Sequence, residues 1–251
     1  MLIIMAVGWV VQRAAGNGGW IDVFWTYGTG LACAGAALWP VAQEISWRQM
    51  LVAGLAALWS LRLGTYVALR VAKGPEDARY AYLRRAWGDR LQGRLFGLMI
   101  VQAPATALLS VAILLAARQP DPAFRIADGL GVLILAVSIA GEGLADSQMK
   151  RFKAEPGNHG QVCELGLWGW SRHPNYFFEA LGWLAYPVIA WTPEDPWSFL
   201  AWIAPLTMMA VLRFATGVPP LEAAMLRSKG EAYARYQQRV PALIPLPPRR
   251  G

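Results

Sequence analysis

Ionisable residues inside long apolar runs are the first candidates for chemistry here, because a charge in hydrocarbon is costly and normally marks function. Five stand out: Asp22, Arg62, Glu142, Asp146 and Glu179. Glu142 and Asp146 are spaced i, i+4 and share one helix face, which Lys150 and Lys153 continue. On such a face carboxylates take hydroxyls or an amide and lysines take phosphates. The plainer alternative is a solvated helix end with internal ion pairs. Glu179 follows Asn175 by four residues, so these two also share a face. Asp22 opens the run Trp20-Ile21-Asp22-Val23-Phe24-Trp25-Thr26-Tyr27. It is either an interfacial helix cap in an aromatic belt, or a carboxyl group whose neutral form an apolar cavity would favour. Arg62, in Leu58-Trp59-Ser60-Leu61-Arg62-Leu63-Gly64, is too deep to snorkel comfortably and is expected to pair with a carboxylate or an anionic ligand.

The densest polar segment is Gly166-Leu167-Trp168-Gly169-Trp170-Ser171-Arg172-His173-Pro174-Asn175-Tyr176-Phe177-Phe178-Glu179. Pro174 suits the first turn of a helix, which places Arg172 and His173 at a helix N-terminus, already favourable for anions. Tyr176 adds a stacking face or a hydroxyl. The competing reading is an Arg–His pair snorkelling at the membrane boundary. In the tail, Glu222 precedes Lys229-Gly230-Glu231-Ala232-Tyr233-Ala234-Arg235-Tyr236, with Tyr233 and Tyr236 spaced i, i+3 on one face. That amphipathic helix either lies on the membrane or closes over a ligand. Nucleotide-binding and hydrolase motifs are missing. Gly28 and Gly30 are followed by Cys33 where a third glycine belongs, and there is no P-loop, H-E-x-x-H or G-x-S-x-G.

The elements that must position these groups follow from composition. The chain has 251 residues, 56% hydrophobic and only 16% charged, with 13 Trp. That excludes a disordered tail, a collagen-like chain and a disulfide scaffold, and leaves a polytopic membrane protein or an unusually apolar globule. Seven apolar runs are candidate spans: about Met1–Val11, Trp20–Val41, Met50–Val71, Leu95–Ala117, Leu130–Met149, Tyr176–Trp191 and Trp197–Phe214. With the N-terminus outside, nineteen of the 23 Lys and Arg fall in inside loops and the tail, among them Lys73, and three (Arg48, Arg118 and Arg125) fall outside. This positive-inside pattern orients the bundle and accounts for most of the +7 net charge. Basic residues that alternate with spans are not a nucleic-acid stripe. Two His and two Cys, all scattered, give no zinc-spaced cluster, so neither nucleic acid nor a metal is expected. The expected fold is an all-α integral membrane, seven-helix bundle in one domain, with cytoplasmic loops and a C-terminal amphipathic helix.

Two segments and two further blocks carry a family resemblance. Ser171-Arg172-His173-Pro174-Asn175-Tyr176-Phe177 with Glu179, and the tail from Leu221-Glu222 through Gly230-Glu231, Tyr233 and Tyr236 to Pro245, resemble the bacterial membrane branch of the steroid 5α-reductase family. So do Asp22-Val23-Phe24-Trp25 and Leu58-Trp59-Ser60-Leu61-Arg62-Leu63-Gly64. The resemblance implies a seven-helix fold in the bacterial inner membrane that binds NADPH in a cytoplasm-facing cavity. It implies reduction of the Δ4 double bond of a 3-oxo-steroid or similar lipid enone. Asn175 and Glu179 match the nicotinamide-side residues and Asp146 an adenosine-side Asp, while Lys150 and Lys153 fall where the family has phosphate-binding Arg. Arg62, Lys73, Arg172, His173, Tyr176, Glu222, Tyr233 and Tyr236 complete the expected cofactor contacts. Asp22 falls near the family's Gln-Glu pair that faces the substrate ketone. Trp59 stands where mammalian members have a catalytic Tyr, a departure that leaves Tyr27 or Tyr66 as replacement donors.

The implied chemistry suits these residues. Hydride addition to the β-carbon of an enone develops negative charge on the carbonyl oxygen, and an acid there stabilises the enolate. The rival reading is an S-adenosylmethionine-dependent methyltransferase of the isoprenylcysteine carboxyl methyltransferase type, which shares the C-terminal pattern. It usually has paired glutamates in the tail, whereas Glu222 is followed by Ala223. A non-enzymatic lipid-binding or transport bundle is the third reading, and no inverted repeat supports it.

Overall fold

The structure, a computed structural model, describes residues 1–40 and 44–249. Val41, the expected end of the second span, and Arg250 in the tail lie outside the described residues. The described chain is helical, with no strand among the described residues. Its helices are α1 (Leu2–Ala15), α2 (Trp20–Leu38), α3 (Trp47–Lys73), α4 (Ala78–Trp87), α5 (Leu91–Ala117), α6 (Ile126–Ala154), α7 (Pro174–Gly182), α8 (Ala185–Ala190), α9 (Ile203–Ala210), α10 (Val218–Lys229) and α11 (Glu231–Arg239).

Among the described residues, four stretches are long and apolar enough to cross a membrane: Trp47–Lys73, Ala78–Ala117, Ile126–Ala154 and Pro196–Lys229. Large apolar side chains also face outward, including Ile3, Leu31, Val101, Leu206 and Phe214. That surface suits hydrocarbon and would be unfavourable in water.

Several element boundaries differ from the sequence reading. The third helix starts earlier, at Trp47, because Ser46 and Gln49 form a capping box: Gln49 N donates to Ser46 Oγ at 3.2 Å, and Ser46 N donates to Gln49 Oε1 at 3.0 Å. Helix α4 occupies a stretch read as loop, and Asp77 caps it by accepting from Arg79 N. The expected sixth span, Tyr176–Trp191, is two short helices with a break at residues 183–184. Pro187 explains the break, since its ring clashes with the carbonyl four residues back, at Trp183. The expected seventh span is also irregular. A 3₁₀ stretch (Pro196–Trp202) leads into α9 and then a π-helical turn (Val211–Ala215). Pro205 cannot donate to Ala201, which is consistent with the change of pitch there.

The chain divides into two compact units: Met1–Leu133 with Leu184–Thr207, and Ile134–Trp183 with Met208–Gly251. In the first, α2 packs against α1, α3 and α5. Glycines set these approaches. A Cβ on Gly30 of α2 would lie 2.1 Å from the Ser60 side chain of α3, and one on Gly64 of α3 would lie 2.8 Å from the Tyr27 ring. Polar side chains bridge helices inside this unit, as in Thr29 Oγ1 to Thr106 Oγ1 at 2.9 Å. Its loop 118–125 is anchored by Arg48, which is buried and makes a bidentate pair with fully buried Asp128 at 3.1 and 2.9 Å. In the second unit, α6 and α7 meet through glycines. A Cβ on Gly141 would fall 2.3 Å from the Phe178 ring, and Ser138 Oγ donates to Phe178 O at 2.7 Å.

Candidate functional site

The second unit assembles the two polar segments that lie far apart in sequence. The stretch Gly166–His173 is held on α6 by Trp168 Nε1, donating to Ala145 O at 3.0 Å, and by Leu167 N, donating to Gln148 Oε1 at 3.0 Å. Gly166 adopts φ +56°, a left-handed turn that glycine takes at no steric cost. The chain after α11 then lies along this stretch. Arg172 N donates to Pro241 O at 2.9 Å, Leu246 N to Trp170 O at 3.0 Å, and Ser171 Oγ to Leu243 O at 2.7 Å.

Glu222 of α10 is the hub. Its Oε1 accepts from Arg172 Nε at 2.6 Å and lies 3.2 Å from His173 Nε2, while Oε2 accepts from Gln237 Nε2 at 2.9 Å. Arg172 Nη1 donates to the carbonyls of Gln237 (3.0 Å) and Val240 (2.5 Å). Tyr236 donates its hydroxyl to Trp168 O at 2.5 Å. Tyr233 and Tyr236 do share a face, as their spacing predicts, and both are buried against Val240 within this unit. Burial pushes both hydroxyls above the ordinary tyrosine range, so they stay protonated. Arg172, Glu222 and Tyr236 thus make protein–protein bonds that fasten the tail to the segment before α7. The family resemblance expects all three at the cofactor as well. Gln237, which it did not single out, is part of the same fastening.

What this frame presents is the start of α7. His173 is buried, its ring stacked on Tyr176 with centroids 5.5 Å apart at 12°. Its Nδ1 is buried with no hydrogen-bond partner among the described residues. Asn175 and Tyr176 are half-buried in the first turn of α7. Glu179, one turn on, is buried and accepts from Trp183 Nε1 at 3.2 Å. On α6, Glu142 and Asp146 are buried on one face, and Lys150 and Lys153 are exposed toward its C-terminal end.

Burial holds His173 below the ordinary histidine range, although Glu222 opposes this. The imidazole is therefore neutral in the fold and protonates more readily in the unfolded chain. As pH drops below about 6.5, the unfolded state binds a proton that the native state does not, so stability falls and levels off below the native value. Thermal scans of detergent-solubilised protein from pH 8 to 5 are expected to show this decline. His173→Gln is expected to flatten it, and an unchanged slope in that variant would refute the assignment.

The other expected residues belong to the first unit. Asp22 accepts from Arg79 Nη2 at 2.6 Å and from Tyr80 OH at 2.8 Å. It is an acceptor here, from both the Arg79 guanidinium and the Tyr80 hydroxyl. Neither partner was legible in sequence, because both lie on α4. Burial would raise Asp77, but Arg79 and Arg70 hold it below the usual carboxylate range. Tyr27 bonds Thr65 Oγ1 at 3.0 Å, and Trp59 is buried edge-on to Trp25. Arg62 lies over the Tyr66 ring with its carbon 5.7 Å from the centroid, and Lys73 is exposed at the end of α3.

A family described as "Protein of unknown function (DUF1295)" matches residues 8–240. The chain belongs to the DUF1295 family. No curated protein and no solved structure matches it. For this DUF1295 chain the match runs from within α1 to the end of α11, so the Asp22 segment and the tail from Glu222 to Val240 fall inside the family's shared region.

Proposed function

We propose that this DUF1295 chain is an NADPH-dependent membrane reductase acting on the carbon–carbon double bond of a steroid-like or other lipid enone. The proposal includes seven spans in the bacterial inner membrane, with the N-terminus outside and the C-terminus cytoplasmic, as the charge pattern suggests. The observation that carries the reading is the start of α7. A buried histidine nitrogen without a hydrogen-bond partner among the described residues stands near Asn175 and Tyr176 in the chain, with buried Glu179 one turn on. An unpartnered buried polar atom costs stability unless it has a use, and a polar ligand at α7 would supply that partner. The residues present therefore fit a dinucleotide's amide and hydroxyl groups at this end.

When bound, the nicotinamide supplies a hydride to the enone's β-carbon. Asn175 and Glu179 orient the carboxamide end. Tyr176 offers a ring face already set parallel to His173. Asp146 accepts ribose hydroxyls, and Lys150 and Lys153 neutralise phosphates. An acid at the enone's carbonyl oxygen would stabilise the negative charge that develops there. The apolar exterior gives a lipid-soluble substrate access from the bilayer.

Calorimetric titration of the purified protein with NADPH and with S-adenosylmethionine tests the reading, together with NADPH oxidation in the presence of a progesterone-like enone. NADPH binding and enone-dependent oxidation are expected. Binding of S-adenosylmethionine alone would move the chain to the methyltransferase class, and binding of neither would remove both.

A further inference from the structure

Some arginines of the first unit are held by carboxylates, and four others gather in one patch. Arg48, Arg70, Arg79, Arg84 and Arg125 each have a carboxylate partner: Asp128, Asp77, Asp22, Glu76 and Asp128 respectively. Arg13, Arg85, Arg90 and Arg94 are exposed and have no ion pair among the described residues. These four are gathered in one place, where the C-terminal ends of α1 and α4 meet the start of α5. Trp9 of α1 donates its Nε1 to Gln92 O at 3.2 Å and packs edge-on to Phe96. Gln12 bonds Gln92 at 2.8 Å, and Arg84 of α4 reaches Gly16 O at 3.0 Å. Two of the unpaired guanidinium groups are set over tryptophan rings, Arg13 over Trp9 at 5.5 Å and Arg94 over Trp87 at 5.6 Å. Stacking orders the guanidinium plane while leaving its rim donors for a phosphate. The start of α5 adds the positive end of a 27-residue helix. Asp89 is the one carboxylate in the segment 85–94, so the patch stays strongly positive.

The same face of α5 changes character along its length. Arg90 and Arg94 are followed at helical spacing by Gly97, Val101 and Leu108. A Cβ built on Gly93 or Gly97 would meet nothing within 4 Å, so the backbone there is open. Beyond it, Val101 is 69% exposed. A phosphate-sized polar end, a bare backbone step and an exposed apolar strip therefore follow one another on one helix face.

We propose that this face of α5 binds an anionic glycerophospholipid, with its phosphate at Arg90 and Arg94, flanked by Arg13 and Arg85, and an acyl chain along Gly97, Val101 and Leu108. A soluble anion would leave the apolar strip uncovered, and a zwitterionic lipid would leave the arginines in net charge excess. Each basic residue near an anionic headgroup contributes about a fivefold preference. The assignment does not depend on the proposed reaction.

Native mass spectrometry of full-length protein, released from bilayers of equal phosphatidylglycerol and phosphatidylcholine, tests it. Retention of phosphatidylglycerol is expected in wild type and should weaken as ionic strength is raised. Arg90→Gln and Arg94→Gln should each reduce retention about fivefold. Gly97→Leu should reduce it with no change of charge, while Arg118→Gln should leave it unchanged. Equal retention of the two lipids, salt-independent retention, or full retention in the arginine variants would overturn the proposal. Displacement of the lipid by millimolar inorganic phosphate would overturn the lipid assignment in favour of a free-anion site.

Discussion

Glu179→Gln is expected to lower enone-dependent NADPH oxidation by about two orders of magnitude while leaving thermal stability close to wild type. The two readouts separate because Glu179 has two distinguishable properties. Its Oε1 accepts from Trp183 Nε1 at 3.2 Å, one turn along α7, and a glutamine carbonyl preserves that bond. Its other oxygen, beside the proposed nicotinamide end, is exchanged for an amide NH2, which donates where a carboxyl oxygen accepts. Removing one oriented polar group from a reacting site typically costs about 10²–10³ in rate. Glu179→Ala should lose activity and also stability, by about 1–3 kcal/mol, because the indole N–H loses a buried acceptor. Kinetics and thermal scans on both variants check this. Full activity in Glu179→Gln would take the residue out of the site.

Asp128→Ala is expected to be the most destabilising single change in the first unit. Asp128 is fully buried and serves several donors at once. It takes Arg48 Nε and Nη2, and at the start of α6 it accepts from Arg125 N at 2.9 Å, the return half of a capping box. Arg48 also reaches the carbonyls of Gln119 at 3.2 Å and Ala123 at 2.7 Å, and that of Asp121. Removing the carboxylate leaves a buried guanidinium without its counter-charge, at a cost of about 3–5 kcal/mol. For a chain of this size that is a fall in Tm of about 10 °C. In the Arg48→Met/Asp128→Ala double variant the loss should be smaller than the sum of the single losses, because the unpaired charge is gone. A Tm for Asp128→Ala within a degree of wild type would refute the pairing as a stabilising contact.

Arg48 and Asp128 also show where sequence reading stops. The charge pattern places Arg48 in an outside loop and nothing in the sequence marks Asp128, since they are 80 residues apart and nothing local couples them. The same holds for Asp22. Its place at the head of an apolar helix marked it as unusual, but its partners Arg79 and Tyr80 sit on α4, a ten-residue helix with mixed polarity. By contrast, the shared face of Tyr233 and Tyr236, the helix start at Pro174 and the Ser46 cap are local patterns that the chain settles within a few residues. Pro187 and Pro205 were legible too, and their effect on the last two expected spans follows from the missing N–H.

The sequence by itself determined the all-helical, apolar character of this DUF1295 chain, the segments that carry its polar residues, and the charge bias between loops. Those properties depend on composition and on short-range periodicity, which each residue reports directly. Only the tertiary structure decided what the polar residues do. It made Arg172, Glu222 and Tyr236 a clasp within the second unit and left the Nδ1 of His173 without a hydrogen-bond partner among the described residues. It also gathered Arg13, Arg85, Arg90 and Arg94, without an ion pair among the described residues, beside a bare face of α5. A hydrogen bond or ion pair depends on two groups meeting within about 3 Å, and only the packing of distant helices brings such groups together.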